Sequence, residues 1–135
     1  MDAKAHRNAE LAWTGIRVAF GLSLAGFHGW AKVFGGKMPD FVKTVAALGL
    51  PAPTFFAWCA GLSEFLGGAL VAIGLFARPA AVFPAITMLV ALYRHRVDPI
   101  AKWELATLYL VVMLACVLRG PGPYSLDARW FERLT

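Results

Sequence analysis

Apolar residues fall into four long blocks along the chain, separated by short polar segments. The blocks run from about 11 to 34, 54 to 76, 80 to 93 and 105 to 118. Within each block the apolar residues are nearly continuous, instead of being spaced to leave one wet face, and this is typical of helices surrounded by lipid. The pattern predicts an all-α fold in which residues 1–135 form a single domain, a bundle of four transmembrane helices.

The third and fourth blocks are shorter than the roughly 20 residues that a bilayer requires. Tyr93, Trp103 and the stems of neighbouring basic residues can lie in the head-group zone and supply the remaining length. The first block is too long for a cleavable signal, so we expect it to remain as a span.

The segment between the first two blocks has a different pattern. From Asp40 to Leu48, apolar side chains recur on one helical face, and Gly49, Pro51 and Pro53 then end the helix. The residues on that face are Phe41, Val42, Val45 and Leu48. We therefore expect a short amphipathic helix at the membrane interface, between the first and second spans.

Composition agrees with the hydropathy pattern. Of the 135 residues, 59% are hydrophobic and 16% are charged, and the mean hydropathy is +0.63. Soluble domains average about 45–50% apolar and about 25% charged residues. The net charge of +5 is spread over four short segments, none dense enough to follow a phosphate backbone. These charges indicate contact with the head groups of a lipid bilayer and exclude a nucleic-acid partner.

Orientation in the membrane depends on how the basic residues divide between the two sides. The chain ends and the second turn carry Lys4, Arg7, Arg78, Arg119, Arg129 and Arg133, and the other side carries Lys32, Lys37, Lys43, Arg94, Arg96 and Lys102. The two sets are equal in number, and Arg17, near the start of the first span, favours termini on the cytoplasmic side.

Ionisable residues inside the spans are costly unless they are paired or face a cavity. Arg17, His28 and Lys32 lie 11 and 4 residues apart, which places them on one face of an ideal α-helix. Gly21, Ala25 and Gly29 fall near the same face, where small residues allow a second helix to approach closely. This face is expected to point into the bundle.

Glu64 is the single charge of the second span and lies near its middle. The antiparallel order of the helices brings Glu104 and Trp103 to the end of the bundle that holds His28 and Lys32. We therefore predict a polar pocket with Glu64 and His28 as catalytic residues and Arg17, Lys32, Glu104 and Trp103 as ligand-binding residues. The alternative is a set of structural ion pairs that fix helix register.

Other chemistries find less support in the sequence. No metal-ligand spacing is present, and Cys59 and Cys116 are expected to behave as small hydrophobic residues without forming a Cys-x-x-Cys pair. Arg94 and His95 are interpreted as solvated loop residues. No metal is predicted, and no cofactor is expected to be covalently bound.

Three fragments in order carry a resemblance. RVAFGLSLAGFHGWAKVFGG begins at Arg17, GLSEFLGGALVAIGLFARPAA at Gly61, and KWELATLYLVVMLACVLRGPGPYSLD at Lys102. Together they resemble the DoxX family of small four-helix membrane proteins, over Arg17 to Asp127. The matching positions are Arg17, His28, Gly29, Lys32, Glu64, Gly67, Gly68, Arg78, Glu104, Gly120 and Asp127.

The resemblance implies four helices in the bacterial inner membrane. It also implies a link to membrane quinone oxidoreductases, including thiosulfate–quinone oxidoreductase, and quinone as the candidate cofactor. Related proteins that carry out thiol chemistry use paired cysteines, which this sequence lacks, so disulfide exchange is not expected.

Two functions from different classes stay open. The first is a subunit of a quinone-linked oxidoreductase that has no redox centre of its own and depends on a redox-protein partner. The second is a non-enzymatic scaffold, assembly factor or carrier of a small solute, which could act as a homo-oligomer. A proton or ion path along the first helix is a third, weaker alternative.

Overall fold

The computed structural model describes residues 2–131 of the chain, and helices make up most of this part. We number six helices as follows: α1, residues 3–33; α2, Met38–Ala46; α3, Pro53–Ile73; α4, Ala77–Arg94; α5, Glu104–Arg119; and α6, Leu126–Phe131. A single 3₁₀ turn, Ile100–Lys102, leads into α5. No strand occurs among residues 2–131, so the predicted all-α fold is confirmed.

Helices occupy all four apolar blocks. The first begins earlier than its apolar block, at Ala3, because Asp2 acts as its N-cap and accepts a hydrogen bond from the Lys4 amide at 3.4 Å. Gly74, with a φ of 72°, ends α3 in the left-handed conformation that favours glycine. The polar residues at the start of the chain are therefore helical and extend the first apolar block.

One helix in the described part, α3, is by itself long and apolar enough to cross a membrane. Helix α5 is shorter, with 16 residues. That all four long helices cross the bilayer therefore stays a prediction, as does the orientation of the termini. Arg133, one of the cations counted for that orientation, lies outside the described residues.

Helices α1 and α3 pack against each other at very short range through glycines. A Cβ atom at Gly68 would lie 2.8 Å from the Gly21 carbonyl oxygen, and one at Gly21 would lie 2.7 Å from the Gly68 carbonyl oxygen. The neighbouring Gly67 faces α4 instead, where a Cβ atom would lie 2.7 Å from Pro84 Cγ. The Gly-Gly pair thus lets one helix contact two neighbours, and the predicted small-residue face of α1 does meet another helix.

Both α1 and α3 contain a π-helical turn, at Leu24–Gly29 and Ser63–Gly67 respectively. The two turns pack against each other, so the widened segments of the two helices lie at the same level of the bundle. Such turns are uncommon inside α-helices and often occur at functional sites. Here Glu64 lies in one of them and His28 in the other.

Helices α4 and α5 form the other half of the bundle and contribute most of its core. The buried residues of this core are Leu24, Val71, Ala77, Ala80, Ala81, Ala85, Met88, Tyr109, Leu110, Met113 and Cys116. Large apolar side chains also cover much of the outer surface, with Phe27 78% exposed. Water would disfavour such a surface, whereas the acyl chains of a bilayer would not.

The amphipathic helix α2 lies against α3. Its Met38 and Val45 form a second small core with Ala57, and Phe41 and Val42 pack against it. The expected apolar face of α2 is therefore real, and part of it covers another helix of the same chain.

Candidate functional site

A buried ion pair joins α1 to α3 at the level of the π-helical turns. Lys32 Nζ donates a hydrogen bond to Glu64 Oε2 at 2.6 Å. The Glu64 side chain is 3% exposed and that of Lys32 is 18% exposed. The lysine ammonium also lies 4.1 Å from the centre of the Phe41 ring. Each charge is therefore compensated, the carboxylate by one cation and the cation additionally by an aromatic face.

The pair lies on the wall of an open cavity of about 240 Å³. Four helices line it, with α2 contributing Phe41 and Val45, the turn after α2 contributing Leu48, and α3 contributing Cys59. Most of the wall is apolar, so the cavity offers one charged pair within a largely hydrophobic surface. Such a combination of apolar walls with a few polar groups is typical of small-molecule sites.

The cavity opens between α3 and α4. Phe56 of α3 and Ile86 and Val90 of α4 line it and are also exposed on the outer face of the bundle. Below the opening, Gly67 and Pro84 bring the same two helices into close contact. A hydroxyl–hydroxyl hydrogen bond of 2.8 Å between Ser63 and Thr87 also joins them. The opening is therefore a wedge that is closed at its inner end.

Two further basic residues line the cavity at the C-terminal end of α4. Arg94 is the last residue of that helix, and His95 follows it. His95 Nδ1 is hydrogen-bonded to Asp98 Oδ2 at 2.6 Å. This hydrogen bond holds the pKa of the Asp98 carboxyl below its usual range.

Arg17 lies away from this cavity, at the opposite end of α3. Its side chain is buried, and its guanidinium donates to the carbonyl oxygens of Val71 (2.5 Å), Ala72 (2.6 Å) and Tyr124 (2.9 Å). The first two carbonyls belong to the last turn of α3, where helical amide donors run out; the Val71 carbonyl also accepts from the Gly74 amide at 3.2 Å. Arg17 therefore joins the end of α3 to the segment that follows α5.

Asp127 acts in a similar way at the same end. Its carboxylate accepts hydrogen bonds from the amides of Phe76 (2.7 Å) and Ala77 (3.0 Å), at the start of α4. Its own amide donates to the Gly74 carbonyl oxygen at 2.9 Å. The carboxylate thus caps a helix distant in sequence and fastens α6 to the α3–α4 turn.

The other predicted site residues do not line the cavity. The His28 ring packs edge-on against Tyr109 of α5, with 5.4 Å between centroids. Glu104 is exposed in the first turn of α5, and Trp103 donates to the Asp98 carbonyl oxygen at 3.2 Å. Of the six predicted residues, Lys32 and Glu64 are therefore the two that the structure brings together at the cavity.

Several cavity residues were assigned other roles from the sequence. Arg94 and His95 were expected to be solvated loop residues, and Cys59 a small hydrophobic residue, yet all three line the cavity. The apolar face of α2 is the sequence signal that points to this cavity, because an apolar face that packs on the bundle must cover part of another helix. Cys116, by contrast, is buried as expected.

Within residues 2–131, no three His, Cys, Asp or Glu side chains are grouped so that they could hold a metal ion. The titratable residues of the cavity are instead Lys32, Cys59, Glu64, Arg94 and His95. This set can form hydrogen bonds and exchange protons with a bound molecule.

Comparison with known proteins gives a family and two relatives. The chain is 32% identical to an uncharacterized membrane protein of Mycobacterium tuberculosis over 105 residues, covering 65% of this chain and 63% of that protein. It is 35% identical over 82 residues to an uncharacterized protein of Haemophilus influenzae, covering 55% of this chain and 61% of that protein. The chain thus spans about three fifths of the length of these curated relatives.

No solved structure matches the chain. The DoxX family model matches residues 12–96, which include α2, α3, α4 and both members of the Lys32–Glu64 pair. A family match over this much of the chain confirms the resemblance found in the sequence motifs, and the chain belongs to the DoxX family of membrane proteins.

Proposed function

We propose that this protein is a membrane subunit of a quinone-linked oxidoreductase and that it binds a quinone in the cavity beside Lys32 and Glu64. The observation that carries the proposal is a buried ion pair on the wall of an apolar cavity that opens between two helices. A structural ion pair alone would need no cavity, and an apolar cavity alone would need no charges.

The residues present suit a quinone. The apolar side chains of α2, α3 and α4 would hold the ring and the start of its tail, which would leave between Phe56 and Val90 toward the acyl chains of the bilayer. Lys32 would donate a hydrogen bond to a carbonyl oxygen. A bound quinone would supply the electron-accepting chemistry that the amino-acid side chains cannot provide.

Within this proposal, the protein positions the quinone and handles protons. Glu64 would hold a proton and pass it to the ligand oxygen, with Lys32 setting the orientation of the carboxylate. His28, at the neighbouring π-helical turn, would act through Tyr109 and the packing of α1, as it does not line the cavity. Electrons would come from a redox-protein partner.

The proposed setting is the bacterial inner membrane, with four spans and both termini on the cytoplasmic side. The outer apolar faces support a bilayer as the surroundings of all four long helices. Arg17, Glu104 and Trp103, which were predicted to bind the ligand, are not needed in this form of the proposal.

Quinone content of the gently purified protein tests the proposal. We expect near-stoichiometric quinone in the organic extract of the wild type and a large loss in Glu64→Gln. Glu104→Gln is the matched control, because it makes the same chemical change at an exposed position and should keep the quinone. Quinone absent from both wild type and control, after extraction from quinone-containing membranes, would favour the scaffold or carrier function instead.

A further inference from the structure

Arg94 is the cavity cation without a partner. Lys32 is paired with Glu64, and His95 with Asp98. Arg94 Nε is fully buried and has no hydrogen-bond partner in the described part of the chain, and no ion pair of Arg94 occurs there. The residue as a whole is partly exposed, but a buried N–H donor without an acceptor is unfavourable, so Nε calls for an acceptor from outside the chain.

The charges of the side chains that line the cavity do not balance. Lys32 and Glu64 cancel, and Asp98, which is hydrogen-bonded to His95, does not line the cavity. Arg94 then leaves one excess positive charge beside a mainly apolar space. An occupant that is apolar along its body and carries one negative charge would match both properties.

The position of Arg94 agrees with a head-group role. It lies seven residues after Thr87 on α4, about 10 Å of helix rise from the closed end of the wedge. A guanidinium at this height can meet an acidic group while the apolar body lies between α3 and α4. The cavity of about 240 Å³ has the volume of about eight liquid water molecules, so a longer tail must continue into the bilayer.

We propose that Arg94 makes this cavity selective for amphiphiles with an acidic head group over neutral molecules of the same shape. The shared chemistry is one anionic oxygen group on an apolar body, which either an acidic quinone or a fatty acid provides. This inference rests on the proposed function, because it concerns the head group of the molecule that occupies the same cavity.

Alkylation of Cys59 provides a direct readout. Cys59 lines the cavity and is exposed, whereas Cys116 is buried at the Ala77 carbonyl oxygen in the core. The rate of maleimide modification at each cysteine is measured by peptide mass spectrometry on the full chain in a neutral detergent. An occupant of the cavity should slow the reaction at Cys59 and leave Cys116 unchanged.

Two pairs of probes are used, each consisting of an acid and a neutral molecule of similar shape. The comparison within a pair measures the effect of charge, and the comparison between pairs distinguishes a fatty acid from an acidic quinone. The first pair is dodecanoate and dodecanol, each dosed as a mole fraction of the detergent, and the second is an alkylated hydroxynaphthoquinone and its methyl ether. We expect each acid to protect Cys59 at a concentration about tenfold lower than its neutral partner, as a charge-assisted hydrogen bond implies. The pair that protects at the lower concentration identifies the source.

Arg94→Gln should remove the preference for acids, and Arg94→Lys should retain much of it. The matched control is Arg96→Gln, because Arg96 lies over the Tyr93 ring and does not line the cavity. Helicity by circular dichroism verifies that each variant is folded.

Equal protection by acid and neutral probes, or an acid preference that survives in Arg94→Gln, would overturn the role of Arg94 and leave the proposed site intact. If neither the four probes nor a neutral quinone protects Cys59, the proposed site itself fails.

Discussion

The C-terminal end and the middle of α3 hold their charged contacts in different ways. At its C-terminal end, Arg17 and Asp127 bind backbone groups, and these contacts join α1, α3, α4 and α6. In its middle, Glu64 binds the side chain of Lys32 beside an open cavity. Arg17, Lys32 and Glu64 all lie within the DoxX match, so agreement with the family does not by itself distinguish a structural role from a binding role.

The partners of each charge make the distinction. The guanidinium of Arg17 is held by three carbonyl acceptors away from the cavity, and its removal would leave buried carbonyls short of a donor. A carboxylate held by one lysine at a cavity wall can exchange that partner for a ligand. We therefore assign the C-terminal end of α3 to folding and the Lys32–Glu64 level to binding.

The largest effect is expected at the structural end. Arg17→Met removes the charged hydrogen bonds to the carbonyls of Val71, Ala72 and Tyr124, at a cost of about 1.5–3 kcal/mol each. The variant should lose at least about 3 kcal/mol of stability, seen as a much lower midpoint in thermal unfolding followed by circular dichroism. Arg7→Met, at an exposed position, is the control and should unfold like the wild type.

The next largest effect concerns the ion pair. Lys32→Met leaves the Glu64 carboxylate, 3% exposed, without its cation and should destabilise by about 3 kcal/mol. Glu64→Gln should cost less, because the lysine side chain is 18% exposed and can reach polar surroundings. The double variant should be more stable than Lys32→Met alone, yet still unable to hold a quinone. A loss in the double variant equal to the sum of the two single losses would mean that the two charges are not coupled.

The close contact between α1 and α3 lies between the Arg17 region and the Lys32–Glu64 level, and its disruption should cause a smaller loss of stability. In Gly68→Ala the new methyl group would lie 2.8 Å from the Gly21 carbonyl oxygen, so α1 and α3 must separate, at a cost of about 1–3 kcal/mol. Gly15→Ala is the matched control in α1, because a Cβ atom there meets nothing within 4 Å. That substitution should be neutral or stabilising by up to about 1 kcal/mol. A stable Gly68→Ala would contradict the close packing of the two helices.

The smallest effect is a pH dependence outside the spans. The hydrogen bond with His95 lowers the pKa of Asp98. The ionised Asp98 therefore contributes its full stabilisation at pH values above the ordinary aspartate pKa of about 3.9. That contribution is lost as the pH falls through the lowered folded-state value. NMR titration of the Asp98 carboxyl in His95→Gln should show its pKa moving back up; no movement would exclude the hydrogen bond as the cause.

Much of the fold could be predicted from the sequence, because block hydropathy and turn residues such as Gly74 act locally. A cation partner for Glu64 could also be predicted, since unlike charges inside apolar helices must find each other, but its choice among Arg17, His28 and Lys32 stayed open. The positions of His28 and Arg17 could not be predicted. A π-helical turn at Leu24–Gly29 lies between Arg17 and Lys32. Its extra residue changes the helix face on which the following residues lie, and a helical wheel drawn at 100° per residue does not include this change.

The cavity was harder to predict because its wall comes from several separate segments. The loop after α4 brings His95 to Asp98, and α2 folds back over α3, neither of which follows from the periodicity of a single helix. The sequence favours a solvated loop position for Arg94 because charged residues surround it. In the structure, Arg94 ends α4 and its Nε atom is buried.

The central claim is that the Lys32–Glu64 level of the bundle is a ligand site, and competition at Cys59 by a neutral alkylated quinone tests it most directly. We expect added decylubiquinone to slow the alkylation of Cys59 in a saturable manner in the wild type, to have little effect in Glu64→Gln, and to leave Cys116 unchanged in both. An unchanged rate at Cys59 in the folded wild type across the soluble range of the quinone would contradict the account and return the buried pair to a purely structural role.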